Sequence, residues 1–276
     1  MFGRMTSAAP EIRFGFGQNW QRFVNEGVGE EQIASAVTSM RDLLKLDSLQ
    51  GKSFLDIGCG SGLHSLAAVR LGAARVMSFD YDINSVRATE QLRAAASPGG
   101  ESWRVEQGSV LDPEYLQKLG TFDVVYSWGV LHHTGRMWDA IRNAAERTAP
   151  GGLFCIAIYN TSKPRTVRAW SRAKRFYCKS PGFVQAAMVG AYGTFGILVQ
   201  LAHRRNPFRT GERGMRFWRD IADWLGGYPY ETATAGELFE FVAPMGFQLV
   251  TLHSVSNGGN HQLTFRRSGP EPQQAG

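Results

Sequence analysis

The sequence predicts an α/β fold with a doubly wound sheet, and three observations carry that prediction. First, Ser53–Ile57 is a short apolar run around the carboxylate Asp56, the pattern of a buried parallel strand. Second, Gly58, Gly60 and Gly62 follow at alternate positions, and Leu63–Leu71 then places apolar residues at helical spacing. Strand, glycine turn and helix form the first half of a βαβ unit, with backbone bared for the close approach of a ligand. Third, 43% of the 276 residues are hydrophobic, ample for one elaborated domain around one core.

The elements follow in order. Met1–Pro10 reads as a loose tail without an apolar stretch of signal-peptide length, so no export is expected. Phe14–Phe23 is aromatic and glycine-rich, and its Trp20 suits a lid over an open cleft. Gln32–Leu46 sets Ile33, Val37, Met40, Leu43 and Leu44 on one helical face. Residues 1–50 are therefore expected to form a helical cap over the cleft; a packing extension covering the sheet is the alternative. Arg75–Asp80 is the second strand, and Asp80 stands where a carboxylate can hydrogen-bond a ribose diol. Asp82 reads as the N-cap of a helix over Ile83–Ala96. Trp103–Gly108 is the third strand, and Asp112-Pro113 opens a further helix. Phe122–Gly129 is the fourth, Met137–Thr148 is a helix stopped by Ala149-Pro150-Gly151-Gly152, and Leu153–Tyr159 is the fifth strand. Gly236–Met245 reads as a helix, with strands at Phe247–His253 and Gln262–Arg267 and a disordered tail over 269–276.

The glycine turn discriminates between ligands. A dinucleotide fingerprint, G-x-G-x-x-G, counted from Gly58 would need glycine at position 63, where Leu63 stands. The pattern present is D-x-G-x-G-x-G over Asp56–Gly62, and here the chain resembles the class I S-adenosylmethionine (SAM)-dependent methyltransferases. The resemblance covers roughly 51–160 and 231–268. It implies a seven-stranded, mostly parallel, Rossmann-like sheet with an antiparallel last strand, SAM as cofactor and S-adenosylhomocysteine as product. It further implies that Asp56, Gly58, Cys59 and Gly60 seat the cofactor, that Asp80 holds its ribose, and that Tyr81, Ser109 and Val110 meet its adenine. Many members carry an acid where this chain has Ser109. Trp128 and either His132 or His133 are implied near the sulfonium or the acceptor. No metal is expected. The D/N-P-P-Y/F motif of amino-methylating DNA enzymes is absent, as is the Pro-Cys nucleophile of cytosine C5 enzymes.

Residues 161–230 exceed the minimal fold. From Asn160 to Asp220 basic side chains abound, including Arg168, Arg172, Arg175, Arg204, Arg205, Arg209, Arg213 and Arg216, while the only acids are Glu212 and Asp220. Gly182–Ala202 carries no charge. Three readings stand for this segment: a membrane span, a helix lying on an anionic membrane surface, and a helical lid packed on the core over an apolar acceptor. The lid is the expectation. Interleaved Trp170, Phe176, Tyr177 and Phe208 give RNA a weaker case. Trp218, Ile221 and Trp224 predict a helix ending at Gly226-Gly227. The turn Tyr228-Pro229-Tyr230-Glu231 either lines the acceptor pocket or packs as a connector.

The resemblance thus leads to SAM-dependent methyl transfer onto a small molecule, as in the quinone and natural-product branch, with His132 or His133 as a base and Tyr228, Tyr230 and Glu231 against the substrate. An RNA methyltransferase and a catalytically silent SAM-fold subunit are the alternatives. Three unpaired-looking cysteines, Cys59, Cys155 and Cys178, point to a reducing cytoplasm, with contact to a membrane surface through 161–219 as an option.

Overall fold

The computed structural model describes residues 15–96, 102–161, 163–202, 217–256 and 259–269. Residues 1–14 and 270–276, Phe208 and the arginines at 204, 205, 209, 213 and 216 lie outside the described residues.

Seven strands form one sheet: β1 (Ser53–Ile57), β2 (Arg75–Asp80), β3 (Trp103–Gln107), β4 (Phe122–Trp128), β5 (Thr148–Tyr159), β6 (Phe247–His253) and β7 (Asn260–Arg267), in the order β3-β2-β1-β4-β5-β7-β6. β1 to β5 pair in parallel; β7 runs antiparallel between β5 and β6. The order reverses between β1 and β4, which opens a crevice at their carboxyl ends.

Both faces of the sheet are buried, and the period of two along each strand sorts the side chains. Phe54, Val124 and Cys155 join a core with Phe23, Met40, Leu43 and Leu66. Their neighbours Leu55, Val125 and Phe154 join the opposite core with Ile141, Leu238 and Phe265. Each such fully buried Leu or Phe contributes roughly 1.5–3 kcal/mol. The first face is covered by α1 (Phe16–Asn25), α2 (Glu30–Leu44), α3 (Leu63–Arg70) and α4 (Ile83–Ala96). The second is covered by α5 (Pro113–Leu119), α6 (Met137–Ala145) and α10 (Ala235–Val242). Start signals in the sequence set these helices. Asp112 accepts from Tyr115 N at 3.0 Å with Pro113 in the first turn, and Thr234 with Glu237 forms a capping box at α10.

Two expectations need correction. The helix after β4 ends at Ala145, not Thr148, and Ala149-Pro150-Gly151-Gly152 lies within β5 rather than before it. Thr148 pairs with Phe122, so the strand starts early and crosses an irregularity before regular pairing resumes at Val124 and Leu153. Gly152 leaves room for this path, since a Cβ there would stand 2.8 Å from two carbonyl oxygens. The second correction concerns the insertion. α7 (Pro164–Lys179), α8 (Gly182–Ala202) and α9 (Phe217–Gly226) build a small cluster of their own around Tyr177, Ile221 and Leu225, joined by Trp170, Met188 and Tyr192. Within α8 only Gly193, pressed under Trp218, is buried, so α8 is not a lid sealed onto the core.

Candidate active site

At the carboxyl ends of β1 and β4 lies a cavity of about 870 Å³. Its floor is the glycine turn. Gly58 N and Cys59 N donate to Phe79 O at 2.8 and 3.1 Å, tying the turn to β2. Gly58 has φ +77°, and a Cβ there would stand 2.5 Å from the Val130 methyl groups. Gly60 has φ +57° and lies under Trp20, whose indole would be 3.0 Å from a Cβ. Left-handed backbone and close packing together leave glycine as the fitting residue at this part of the cavity lining.

Asp80 ends β2 beside this turn. Its Oδ2 accepts from Gly60 N at 3.1 Å and its Oδ1 from Asp82 N at 2.9 Å, so the carboxylate is fixed in place. Burial pushes its pKa up to about 6 against those two hydrogen bonds. Asp56 lies deeper. Its Oδ2 accepts from Ser65 Oγ at 2.5 Å; Ser65 Oγ and Ser78 Oγ are 2.7 Å apart; Trp103 Nε1 donates to Ser78 at 2.8 Å. With Ser65 donating to the carboxylate, Ser78 donates to Ser65, giving one relay of four groups. Burial, helped by Asp80, raises Asp56 to about 7. Asp82 caps α4 by accepting from Asn84 N at 2.9 Å, and its other oxygen takes Gly17 N at 2.9 Å, anchoring α1 at the rim.

Tyr81 is 53% exposed beside Asp80; Ser109 and the buried Val110 follow β3 along the same wall. Ser109 Oγ accepts from Leu111 N at 3.2 Å, which holds the turn. On the other wall Trp128 lies 6.1 Å from Tyr126, stacked at 13°, and 5.7 Å from the His64 ring. Beyond them His133, Tyr159 and Tyr228 line the cavity, closed by Phe16 of α1 and Asp223 of α9. Asn19 Nδ2 donates to Asp223 Oδ1 at 2.6 Å, joining α1 to the insertion.

The two histidines separate. They sit in a 3-10 turn, Leu131–His133, where successive side chains diverge by about a third of a turn. His132 is buried, accepts from Tyr159 N through Nδ1 at 3.4 Å, and does not line the cavity. Its expected role as a base is therefore withdrawn. His133 does line the cavity, and its Nδ1 lies 2.8 Å from Pro229 O. A carbonyl only accepts, so Nδ1 bears the proton and Nε2 is the basic atom of the neutral ring. Gly227 makes space for this edge, since a Cβ there would stand 2.8 Å from His133 Cε1.

Two expected substrate contacts are also corrected. Both oxygens of Glu231 lie within reach of Met137 N, at 3.2 and 3.1 Å, so this carboxylate caps α6. Tyr230 packs against Tyr159 and Trp224, with the Lys174 ammonium 4.8 Å from its ring, and is absent from the lining. Of this turn Tyr228 alone reaches the cavity. Sequence reasoning missed Asp223 and His64. Asp223 sits within a helix predicted from its tryptophans, and His64 is one polar position in the helix after the glycines; neither carries a motif.

A family model described as a methyltransferase domain matches residues 30–184, more than half of the chain. The chain belongs to this family, the class I SAM-dependent methyltransferases. Among curated relatives, a ubiquinone biosynthesis O-methyltransferase of Rhizobium etli is 32% identical over 129 residues, 47% of this chain and 48% of that protein. A tRNA U34 carboxymethyltransferase of Idiomarina loihiensis is 33% identical over 117 residues, 40% of this chain and 34% of that protein. The chain thus spans about half or less of the length of these curated relatives. Among solved structures, the magnesium protoporphyrin IX methyltransferase of Synechocystis PCC 6803 with bound S-adenosylhomocysteine aligns with a TM-score of 0.54 at 16% identity, over 91% of this chain and 94% of that one. That likeness is one of fold.

The family's cofactor fits the residues present. Gly58 and Gly60 line the cavity floor, where any side chain would collide with Val130 or Trp20, and the fixed carboxylate of Asp80 is an acceptor for a diol. Asp56 and Cys59 belong to the floor, with Tyr81, Ser109, Val110, Trp128 and Trp20 around it.

Proposed function

We propose that this chain transfers a methyl group to a small-molecule acceptor, with an oxygen of an aromatic or lipid-like metabolite as the favoured nucleophile. One observation carries the reading: a single cavity joins the glycine turn and Asp80 to a chamber walled by Trp128, His133, Tyr159 and Tyr228. SAM, when bound, supplies an activated methyl on a cationic sulfonium. The protein's part is then alignment and exclusion of water. Asp80 holds the nucleoside's diol beside the glycine turn, and the aromatic walls orient a flat or apolar acceptor. His133 Nε2 takes the acceptor's hydroxyl proton while Pro229 O keeps Nδ1–H in place. We place the reaction in the cytoplasm, where the free thiols Cys59, Cys155 and Cys178 stay reduced.

The test is a labelled-methyl assay on extract fractionated into lipids, small aromatics and RNA. Label should enter a lipid or aromatic fraction. His133→Ala should lower kcat about 10²–10⁴-fold while leaving cofactor affinity intact. The basic residues of α7 favour one second reading, an RNA acceptor; label confined to RNA, lost steeply with salt, would replace the first.

A further inference from the structure

The insertion carries two surfaces that the reaction does not use. On α7, Arg165, Arg168, Arg172, Arg175 and Lys179 recur at alternating spacings of three and four, which places all five on one stripe. All five are exposed, and among the described residues none meets an acidic partner. The opposite side of the same helix, Trp170, Lys174 and Tyr177, turns inward toward Trp224 and α9. The next helix, α8, has no charge over its 21 residues and is long and apolar enough to cross a membrane by length and composition. Its Met188, Val189 and Tyr192 pack inward. Its outer side is apolar and bare: Phe183 is 77% exposed, Phe195 63% and Leu198 60%. No Asp or Glu occurs between Thr161 and Ala202.

We propose that α7 and α8 together dock this protein on an anionic bilayer surface. The arginine stripe meets the lipid phosphates and the bare side of α8 enters the interface beside them. Charge selects this occupant. A second copy of the chain would set five unpaired cations against five more, whereas anionic headgroups neutralise them while the adjoining acyl layer covers Phe195 and Leu198. A span is disfavoured because one side of α8 is already packed on α7 and α9. An apolar acceptor would then be drawn from the bilayer, a consequence that rests on the small-molecule reading above.

The test is co-sedimentation of the full chain with phosphatidylcholine vesicles, with and without phosphatidylglycerol, at low and physiological salt. No methyl transfer is measured, so failure here leaves the proposed reaction standing. The protein should pellet with the anionic vesicles, remain largely in solution with the neutral ones, and be released by salt. Replacing Arg168→Gln, Arg172→Gln and Arg175→Gln together should lower vesicle partitioning about a hundredfold at an unchanged melting temperature. Phe195→Glu with Leu198→Glu should also release it. Equal pelleting with both vesicle types, or with neither, would overturn the proposal. So would tighter binding to an RNA oligonucleotide than to vesicles, a dimer dispersed by Phe195→Glu without vesicle binding, or resistance to alkaline carbonate extraction from cell membranes.

Discussion

At Asp80 one carboxylate has an observed task and a proposed one. It receives Gly60 N and Asp82 N, and so shapes the turn that would hold the nucleoside, while sitting where a ribose diol would meet it. Hydrogen bonds to a charged acceptor contribute about 1.5–3 kcal/mol. Asp80→Ala should therefore weaken S-adenosylhomocysteine binding by roughly ten- to a hundredfold, measured by calorimetry. An unchanged affinity would remove Asp80 from the nucleoside site. His132 and His133 make the complementary point. They are adjacent in sequence and equal in chemistry, yet the turn sends one into packing and the other to the cavity. Residue type nominated both, and only the turn's geometry could choose. Glu231 likewise looked like chemistry and is a helix cap.

At the scale of elements, the chain was most readable where period and punctuation agree. β1, β2 and α4 fall where apolar runs, glycines and Asp82 place them. Legibility failed at β5, because Pro150 and Gly151 signal a break while pairing of Thr148 with Phe122 starts the strand before them. It failed again in the insertion, where an uncharged stretch reads alike as buried lid or exposed surface, since hydropathy does not say what lies opposite. Capping gives a direct check on an element read correctly. Thr234 Oγ1 takes Glu237 N at 3.2 Å, and Glu237 Oε2 takes Thr234 N at 2.8 Å. Thr234→Ala should cost about 1 kcal/mol of stability, seen as a lower denaturant midpoint at constant m-value. No change would mean that α10 is held by Leu238 and Val242 in the core alone.

For the molecule as a whole, the buried pair Asp56 and Asp80 sets a pH dependence. Both carboxyls hold their protons more tightly folded than the ordinary value of 3.8, to about 7 and about 6. From about pH 4 upward the unfolded chain has released these protons while the folded chain retains them, so their contribution to stability falls as pH rises. The fall levels off near pH 8, about a unit above the higher of the two values, once both are ionised in the folded state. The ligand-free protein should thus melt at a higher temperature near pH 5 than near pH 8, and Asp56→Asn should flatten the difference. A melting temperature that climbs over this range in the parent, with no change in Asp56→Asn, would contradict the assignment.

The contact between Asn19 and Asp223 joins residues 204 positions apart. During synthesis β1 to β5 leave the ribosome well before α9, and β7, which fills the gap beside β5, follows later still. The glycine turn and Asp80 can therefore take shape before α9 lies beside the crevice. Closing the crevice thus waits on a contact that no nascent chain ending before Asp223 can make.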